Sequence, residues 1–579
     1  MPKDIEKRWV MKPESDPLLV HSLSSHLSVD PVLSNVLLKR GIHNLEEARA
    51  FFRPSLDDLH DPFGMKDMDK AVLRIEAAIE KKENILVYGD YDVDGTTAVA
   101  LMYGFLNSFY KNISFYIPDR YAEGYGISFK GIDFASDNGF TLIIALDCGI
   151  KSNDKVKYAE EKGIDFIICD HHTPGETIPE AIVLDPKRKD CPYPYKELSG
   201  CGIGFKLIQA IAKTRNISEE FVFSFLDLVT ISTAADIVPI TGENRILAHY
   251  GLREINSKPR AGINAMLDNA GKKLPVDISD LVFVIGPRIN AAGRIRSGQH
   301  AVELLISENM TEAFEKSEML NEHNDQRKNL DKEITAQALE MIASDKNLSH
   351  SKTTVLFNES WHKGVIGIVA SRVMESYYRP TIMLTESNGK ITGSARSVKD
   401  FDIYEAIEKC SDLLEQFGGH KYAAGLTLKK ENLDAFKLKF EKTVSESIAE
   451  DLLIPTIEID SKIMFENIFT SGENINEIPK FYRIIKQIGP FGPGNMNPVF
   501  RADDLQDTGY SKVVGENHLK LYVCPKNNPN LKLNGIAFGM GHLLTEIQHK
   551  NFDMVFTIEE NFWNDKLSIQ LSVKDIKPK

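Results

Sequence analysis

The chain has 579 residues, of which 42% are hydrophobic and 26% charged, and a formal net charge of −14. This is an ordinary globular composition, long enough for roughly three or four domains. Proteins that coat duplex nucleic acid are basic overall, so any nucleic-acid contact here must use local basic patches. The six cysteines include no CxxC pair, which argues against a zinc ribbon or a disulfide framework and suits a reducing compartment. No apolar run approaches the roughly 18 residues of a membrane span and no apolar leader opens the chain, so we expect a cytoplasmic protein.

The hydrophobic pattern predicts an α/β protein with a helical N-terminal segment and several folded parts. Residues 1–80 are Leu-rich and are expected to form helices that pack on the core. Short apolar strands alternate with helices over 81–305, a rhythm typical of a mostly parallel sheet. The stretch 306–345 is highly charged and lacks Pro and Gly, which predicts one long exposed helix connecting two domains. A second strand–helix block follows at 346–450, and 451–579 is rich in strand and turn residues, as in a small barrel or sandwich.

The first segment with a chemical signature is "GDYDVDGTTA", in which Asp90, Asp92 and Asp94 alternate and Gly95 follows. It resembles the front half of a calcium-binding EF-hand loop, but Leu101 stands where that loop needs a bidentate glutamate. The flanks are a predicted strand and a predicted helix, so the acids lie at the carboxyl end of a strand, where open α/β sheets bind ligands. The remaining alternative is a solvated acidic turn, although three alternating carboxylates repel one another unless a cation compensates their charge.

Three further segments carry candidate ligands. Asp147 follows the apolar run "LIIAL", Asp170, His171 and His172 follow "DFIIC", and Asp236 lies in the apolar segment "LDLVTISTAADIVPI". Each alone has an ordinary explanation, as a helix cap or a structural histidine. Because the carboxyl ends of parallel strands share one edge of a sheet, we expect the groups to converge. Carboxylates with imidazole suit Mn²⁺ or Mg²⁺, and so acidic a cluster can hold two ions, which would clamp the attacking water and the leaving oxygen of a phosphoryl transfer.

These motifs resemble a known superfamily. "GDYDVDG", "ALDCG", "DHH" and "TAADIVP", in this order, are similar to the four motifs of the DHH phosphoesterases. Further segments resemble the RecJ family of bacterial single-strand-specific 5′→3′ DNA exonucleases over nearly the whole chain: "PDRYAEGYGIS", "LSGCGIGFKL", "GPRINAAGRI", "WHKGVIGIVASR", "GSARS", "FGGHKYAAG" and "GPFGPGNMNPVF". The resemblance implies a parallel-sheet DHH catalytic domain at 81–305, joined by the long helix to a smaller α/β DHHA1-type substrate-binding domain at 346–450. It also implies an OB-like single-strand-binding domain at 451–579.

The resemblance also implies a metal site. In this superfamily the motif acids and the first histidine of the pair bind metal, which gives as ligands Asp90, Asp92, Asp94, Asp147, His171 and Asp236. The expected catalytic residues are Asp92, Asp94, Asp147, His171, His172 and Asp236. Asp170 and His172 are expected to support the ligands from behind, and Asp90 either binds metal or orients its two neighbours.

The substrate side is predicted from local basic and glycine-rich segments. Residues 281–300 hold three arginines and no acid, and arginine forks bind phosphate oxygens. "GSARS" offers hydroxyls, backbone N–H groups and a guanidinium for a phosphate, and the paired glycines of "FGGHKYAAG" permit a close-approach loop. A solvated basic face, a packing tyrosine at position 125 and a packed histidine at position 420 are the plainer alternatives. With the quoted motifs, the expected contacts are Arg120, Tyr125, Arg288, Asn290, Arg294, Ser371, Arg372, Ser394, Arg396, Ser397, Gly418, Gly419 and His420.

The resemblance implies an exonuclease of recombination and repair that releases 5′-mononucleotides from single-stranded DNA with a free 5′ end. The polarity follows from the resemblance alone. Hydrolysis by water needs no Ser or Cys nucleophile, and the chain has neither a G-x-S-x-G elbow nor a Walker A sequence, so we expect no ATP dependence. A narrow cleft between the two α/β domains would admit one strand and exclude a duplex. A helicase and a single-strand-binding protein are implied partners, and we expect a monomer.

Three other functions stay open at this point. A DHH phosphodiesterase for short oligonucleotides or cyclic dinucleotides would lack the C-terminal module and the "GPRINAAGRI" block. A pyrophosphatase-like enzyme would begin its first motif with a histidine ligand, where this chain has Tyr88. A non-catalytic single-strand-binding scaffold would have replaced some of the acids, and all of them remain.

Overall fold

The computed structural model describes residues 5–346, 348–469 and 477–579. The chain divides into two units. The first unit consists of Met1–Arg53, Leu330–Gly489 and Asn497–Lys579, and the second of Pro54–Asn329 with the short segment Pro490–Met496. Among the described residues no helix is long and apolar enough to cross a membrane.

The N-terminal segment contains one strand and three helices: β1 (Arg8–Met11), α1 (Pro17–Leu27), α2 (Pro31–Leu38) and α3 (Leu45–Phe52). The helices agree with the helical pattern, whereas β1 does not. Arg8–Met11 is extended because it pairs in parallel with Thr456–Ile459, far along the chain, and such a partner leaves no local sequence signal.

The second unit is built on a five-stranded sheet whose strands all run parallel, in the order β3-β2-β4-β5-β6. Ile85 and Val87 of β2 belong to one hydrophobic cluster, and Leu86 and Tyr88 belong to another. Both faces are therefore buried, which explains the continuous apolar strands of the sequence. The predicted parallel sheet is confirmed, with strands β2 (Asn84–Gly89), β3 (Ile113–Tyr116), β4 (Phe140–Leu146), β5 (Asp165–Cys169) and β6 (Ile182–Leu184).

The helices of the unit are α4 (Met68–Glu80), α5 (Val93–Asn107), α6 (Phe129–Asp137), α7 (Asn153–Glu161), α8 (Gly200–Arg215), α9 (Glu219–Phe223), α10 (Leu226–Ala235), α11 (Gly242–Ser257), α12 (Ala261–Asn269), α13 (Ile278–Asp280), α14 (Gly286–Ile295) and α15 (Gln299–Leu305). Helices α4 to α8 pack on the strands of the parallel sheet. A π-helical turn, Leu281–Ile285, joins α13 to α14. The long helix predicted within 306–345 is present as α16 (Met310–Ser344), with 35 residues, and the division between the two units falls inside it.

The first unit contains a second α/β sheet, in the order β10-β11-β9-β8-β7. Only β7 and β8 are parallel, and the other neighbours are antiparallel. Its elements are β7 (Thr354–Phe357), α17 (Ile366–Tyr377), β8 (Thr381–Ser387), β9 (Lys390–Arg396), α18 (Ile403–Glu408), β10 (Gln416–His420), β11 (Ala423–Leu428) and α19 (Leu433–Ser447).

The C-terminal part of the first unit is β-rich, as predicted. Its seven-stranded sheet has the order β13-β14-β18-β19-β17-β16-β15, and an additional pairing of β14 with β16 links strands from distant positions in that order, as in a small barrel. The elements are β12 (Thr456–Ile459), β13 (Ser461–Lys462), α20 (Phe465–Ile468), α21 (Lys480–Ile488), β14 (Phe500–Asp507), β15 (Lys512–Val514), β16 (His518–Pro525), β17 (Leu533–Ala537), α22 (Leu544–His549), β18 (Phe552–Trp563) and β19 (Lys566–Pro578).

Candidate metal centre and substrate contacts

The predicted acids and histidine meet at the carboxyl edge of the parallel sheet. The Nε2 atom of His171, which follows β5, lies 3.2 Å from Oδ1 of Asp147, which follows the neighbouring strand β4. The same Nε2 lies 3.5 Å from Oδ2 of Asp236 and 3.8 Å from Oδ2 of Asp94. Asp236 arrives from the C-terminal end of helix α10 rather than from a strand.

Two overlapping groups of side chains have the spacing of a metal site. Asp147, His171 and His172 form one group and Asp94, His171 and Asp236 the other, with ligand atoms within 4.8 Å of one another in each. His171 belongs to both groups, so the two candidate sites share one ligand.

Asp94 is held in place by three hydrogen bonds. The backbone N–H groups of Gly200 and Cys201 donate to its carboxylate at 2.6 and 2.7 Å, and the Ser232 hydroxyl donates at 2.6 Å. Gly200 and Cys201 open helix α8, whose N-terminus carries a partial positive charge that favours a carboxylate. The sequence analysis did not assign this supporting role, although "LSGCGIG" has the Ser-Gly pattern of a helix start.

The packing of the turn after β2 explains Gly95, the glycine that made this segment resemble a calcium-binding loop. Asp92 caps helix α5 by accepting the N–H of Gly95 at 3.0 Å. A Cβ on Gly95 would lie 2.4 Å from the carbonyl oxygen of Asp90, so only glycine fits this close approach. Asp90 is fully buried and accepts the N–H of Gly126 at 3.2 Å. The glycine therefore serves the packing of a strand-to-helix turn.

The second histidine of the pair is held from behind by Asp170. Asp170 Oδ1 lies 2.7 Å from His172 Nδ1 and also accepts the backbone N–H of His171 at 2.8 Å. Its other oxygen accepts the N–H of Ile150 at 2.9 Å. On its far side, His172 Nε2 lies 3.2 Å from the hydroxyl of Tyr125. This chain of contacts is consistent with the supporting position predicted for Asp170 and His172.

Burial and mutual repulsion shift the pKa values of several acids and histidines in the cluster. Burial, followed by the neighbouring carboxylates, holds the pKa values of Asp90 and Asp147 well above the ordinary range and raises that of Asp236 to about 8. Burial also lowers the pKa of His171, which leaves its imidazole neutral. For His172, burial opposes protonation, but the hydrogen bond to Asp170 and the negative charges of Asp170, Asp236 and Asp94 together raise the pKa to about 9.

The donor set fits a divalent cation. Buried carboxylates that raise one another's pKa values are those that a bound cation would neutralise. Within the described residues, Asp90 Oδ2, Asp147 Oδ1 and both ring nitrogens of His171 are buried without a hydrogen-bond partner. Oxygen ligands with one neutral imidazole are typical of Mn²⁺ and Mg²⁺ sites rather than of structural zinc.

Three of the predicted substrate residues lie beside this centre. The Arg120 guanidinium lies 4.8 Å from the ring centroid of Tyr91, the residue between Asp90 and Asp92 in the sequence. The Tyr125 hydroxyl contacts His172 as described. Arg294 is brought close because its neighbour Gly293 abuts the same turn: a Cβ there would lie 2.7 Å from the Tyr91 carbonyl oxygen. Tyr91 has no predicted role, and only its position between the acids could have signalled one.

The structure places Arg288 differently from the prediction. Its side chain is only 7% exposed and donates to the carbonyl oxygen of Val284 at 2.8 Å. This placement favours a structural role over the predicted phosphate contact. Asn290, on the same helix α14, is half-buried.

Five of the predicted contacts of the first unit lie on strands β9 and β10, which flank β11. Arg396 and Ser394 of β9 lie opposite Ala423 and Gly425 of β11, which in turn face His420 and Gly418 of β10. A Cβ on Gly419 would lie 2.4 Å from the Ala423 carbonyl oxygen, which explains the glycine.

The other three predicted contacts of this unit have protein partners. The Ser397 hydroxyl is buried and donates to the Phe401 carbonyl oxygen at 2.8 Å, so its placement is structural and the phosphate contact predicted for it is not supported. Arg372 pairs with Asp331 at 2.8 Å, and the Ser371 hydroxyl bonds to the Gly367 carbonyl oxygen at 3.3 Å. Gly367 also borders the β9 residues, since a Cβ there would lie 2.9 Å from the Ser394 hydroxyl.

Comparisons with known proteins agree with this layout. The profile of the DHH family, N-terminal domain, matches residues 84–233, that of the DHHA1 domain matches 329–446, and that of the RecJ OB domain matches 473–575. Among solved structures, the fold matches the crystal structure of RecJ in complex with Mn²⁺ from Thermus thermophilus. That match has a TM-score of 0.83 and 25% identity, and covers 99% of this chain and 80% of the other.

Curated relatives match over nearly the whole chain. The single-stranded-DNA-specific exonuclease RecJ of Bacillus subtilis (strain 168) is 35% identical over 578 residues, which is 98% of this chain and 70% of that protein. The protein of the same name from Escherichia coli (strain K12) is 31% identical, over 95% of this chain and 96% of its own. With these relatives, and with all three domains and the acidic centre in place, the chain belongs to the RecJ family of single-stranded-DNA-specific exonucleases.

Proposed function

We propose that this protein is a metal-dependent exonuclease that shortens single-stranded DNA from its 5′ end and releases 5′-mononucleotides. The observation that carries the proposal is the meeting of His171 with Asp94, Asp147 and Asp236 at one sheet edge. Membership of the RecJ family supports the substrate class and the type of bond cleaved. The 5′ polarity rests on the family resemblance.

The metal ions of this proposal are two Mn²⁺ or Mg²⁺. They would be held by Asp90, Asp92, Asp94, Asp147, His171 and Asp236. Divalent ions in such a cluster lower the pKa of a coordinated water and offset the charge of the phosphate. The side chains contribute the rest: Asp94 is pre-oriented by its three donors, and His171 is kept neutral by burial so that a ring nitrogen is available.

The remaining groups bind and orient the strand. His172 is held beside the acids by Asp170 and fixes the Tyr125 hydroxyl. Arg120 and Arg294 bind phosphate oxygens and Tyr125 stacks on a terminal base. In the first unit, Ser394, Arg396 and His420 are the groups suited to contact a DNA backbone.

The reaction is a hydrolysis. A water oxygen forms a bond to the phosphorus, and the bond from phosphorus to the 3′-oxygen of the terminal nucleotide breaks. The proton lost by the water is balanced by the one gained by the leaving 3′-oxygen. The products are a 5′-mononucleotide and a strand shortened by one residue that again ends in a 5′-phosphate.

A digestion assay tests the proposal. Long single strands labelled at the 5′ or the 3′ end, a blunt duplex and a dinucleotide are incubated with Mn²⁺, Mg²⁺ or EDTA. We expect labelled mononucleotide to appear first from the 5′-labelled single strand, only with metal, and with little loss from the duplex. Early mononucleotide from the 3′ label would reverse the polarity. Cleavage of the dinucleotide alone would indicate a short-oligonucleotide phosphodiesterase, and binding without cleavage would indicate a scaffold.

A further inference from the structure

Ile237, the residue after Asp236, has an unusual backbone and an unusual exposure. Its φ is 61°, in the left-handed region, and its side chain is 70% exposed. A β-branched residue is a genuine outlier in this region, which glycine and asparagine adopt at much lower cost. An aliphatic side chain in water gains nothing from burial to offset that cost. Neither local conformation nor packing therefore accounts for isoleucine at this position.

The backbone on both sides of Ile237 is fixed, so the strained conformation is imposed. Before it, the N–H of Asp236 donates to the Ser232 carbonyl oxygen at 2.9 Å, which ends helix α10. After it, the Pro239 carbonyl oxygen accepts the Tyr195 hydroxyl at 3.1 Å and the Asn244 amide at 3.0 Å. Next along the chain, the N–H of Ile240 donates to the Pro493 carbonyl oxygen at 2.7 Å.

Ile237 lies next to the candidate metal centre. Consecutive Cα atoms lie about 3.8 Å apart, so Ile237 is a direct neighbour of a residue whose carboxylate is 3.5 Å from His171 Nε2. Strained residues persist where the surrounding structure fixes them, and they cluster at functional sites. An exposed aliphatic group beside a buried cluster of charges offers the sugar and base of a bound nucleotide an apolar contact, which the acids and arginines do not supply.

We propose that Ile237 is a substrate-binding residue that packs against the apolar face of the nucleoside next to the scissile phosphate. The inference rests on the proposed function and adds to it a contact that is independent of sequence, because every nucleotide presents a sugar ring and a base face. An apolar contact there contributes to binding of the nucleoside, so its loss raises KM more than it changes kcat, and it does not compete for the charge of the metal centre.

The test compares Ile237→Asn and Ile237→Val with the control Leu73→Gln. Asparagine tolerates the left-handed backbone but lacks the branched apolar surface, and valine keeps most of that surface. Leu73 is 68% exposed on helix α4, in the same unit, and has ordinary helical backbone. Each variant is measured for KM and kcat on a long single strand, for melting temperature, and for Mn²⁺ affinity by calorimetry on the metal-free protein.

For Ile237→Asn we expect KM to rise about three- to tenfold, the scale of losing one base or sugar contact. We expect kcat within about twofold, unchanged Mn²⁺ affinity, and a melting temperature equal to or above that of the wild type, because strain is relieved. Ile237→Val should recover most of the lost affinity, and Leu73→Gln should match the wild type throughout.

Two outcomes would overturn the proposal. The first is an Ile237→Asn enzyme with wild-type KM and kcat. The second is loss of Mn²⁺ affinity together with a lower melting temperature, which would mean that Ile237 only holds Asp236 in place. If the wild type shortened no strand at all, the proposed function would fail instead. In that case fluorescence anisotropy of wild type and Ile237→Asn with the same strand still tests the contact.

Discussion

At the residue scale, Asp147 is a proposed ligand with a closely packed environment. It is buried, has a left-handed backbone with φ 58°, and lies so close to Gly200 that a Cβ there would be 2.6 Å from the Asp147 Cβ. Its Oδ1 is 3.2 Å from His171 Nε2. A substitution that keeps its shape and removes its charge therefore tests the charge alone.

We expect Asp147→Asn to lower kcat by at least about a hundredfold, because a neutral amide is a poor ligand for a hard divalent cation. Affinity for single-stranded DNA, measured by anisotropy in EDTA, should stay within about threefold of wild type, since the phosphate contacts lie elsewhere. Asp154→Asn is the matched control, because Asp154 is an exposed acid of the same unit paired with Lys155 at 3.0 Å. Near wild-type turnover by Asp147→Asn would show that the ligand assignment is wrong.

The protonation of Asp236 and His172 predicts how the metal-free protein responds to pH. The pKa of Asp236 is raised from an ordinary 3.8 to about 8, so the folded state holds a proton that the unfolded state has lost, and stability falls as pH rises over that interval. The pKa of His172 is raised from 6.5 to about 9, so its contribution is complete below 6.5 and is lost as pH rises through 9. Both groups act in the same direction.

The melting temperature of the metal-free protein should therefore be lower at pH 9 than at pH 6. Saturating Mn²⁺ should shrink the difference, because the bound cation replaces the protons of the acids. Asp236→Asn, which cannot lose a proton, should also flatten the profile of the metal-free protein. A metal-free melting temperature that rises over this range would contradict the assigned protonation states.

At the element scale, helix α14 positions Arg294 by lying directly on the turn that carries the first acids. Gly293 makes this possible, and a methyl group there would meet the Tyr91 carbonyl oxygen at 2.7 Å. We expect Gly293→Ala to push α14 away from the turn, which should lower kcat/KM about tenfold or more through misplacement of Arg294 and the acids. Gly64→Ala is the control, since its Cβ would make only an ordinary 3.8 Å contact with Tyr193.

Circular dichroism and the melting temperature, measured beside kcat/KM, would show whether a loss of activity comes from global unfolding. A Gly293→Ala enzyme that keeps full activity would mean that the contact between α14 and the turn does not position the site.

Some elements that form the site could be predicted from the sequence, and others depend on tertiary packing. The strands β2, β4 and β5 are short apolar runs that end in acids or histidine, so their convergence follows from parallel pairing alone. Asp236 is less predictable because it ends a helix, whose approach to the sheet edge depends on tertiary packing. The burial of Arg288 and Ser397 depends on which face of an element meets the core. In the "GSARS" motif, for example, Arg396 is half-buried and the adjacent Ser397 is buried. Strand β1 has no local signal because its partner is far along the chain.

At the scale of the whole molecule, an acidic chain must bind a polyanion. With a net charge of −14, long-range attraction to DNA is absent, so affinity has to come from a few local cationic side chains. The candidates in the second unit are Arg120 and Arg294, and the candidate arginine on strand β9 of the first unit is Arg396. Each phosphate neutralised by such a group releases counterions and steepens the dependence of affinity on salt.

The affinity for single-stranded DNA should therefore depend only weakly on salt, and removing one arginine should reduce that dependence by the share of one phosphate contact. For single strands, the slope of log K against log salt is about −0.7 per phosphate contact, so three arginines give a slope near −2. Arg294→Gln should make the slope shallower by about 0.7, measured by anisotropy in EDTA so that no strand is cut. Arg215→Gln is the control, because both of its donating nitrogens are bound to Glu76 at 2.6 and 2.7 Å. An unchanged slope in Arg294→Gln would remove this arginine from the DNA path, and a wild-type slope far steeper than −2 would mean that cationic groups outside this set bind the strand.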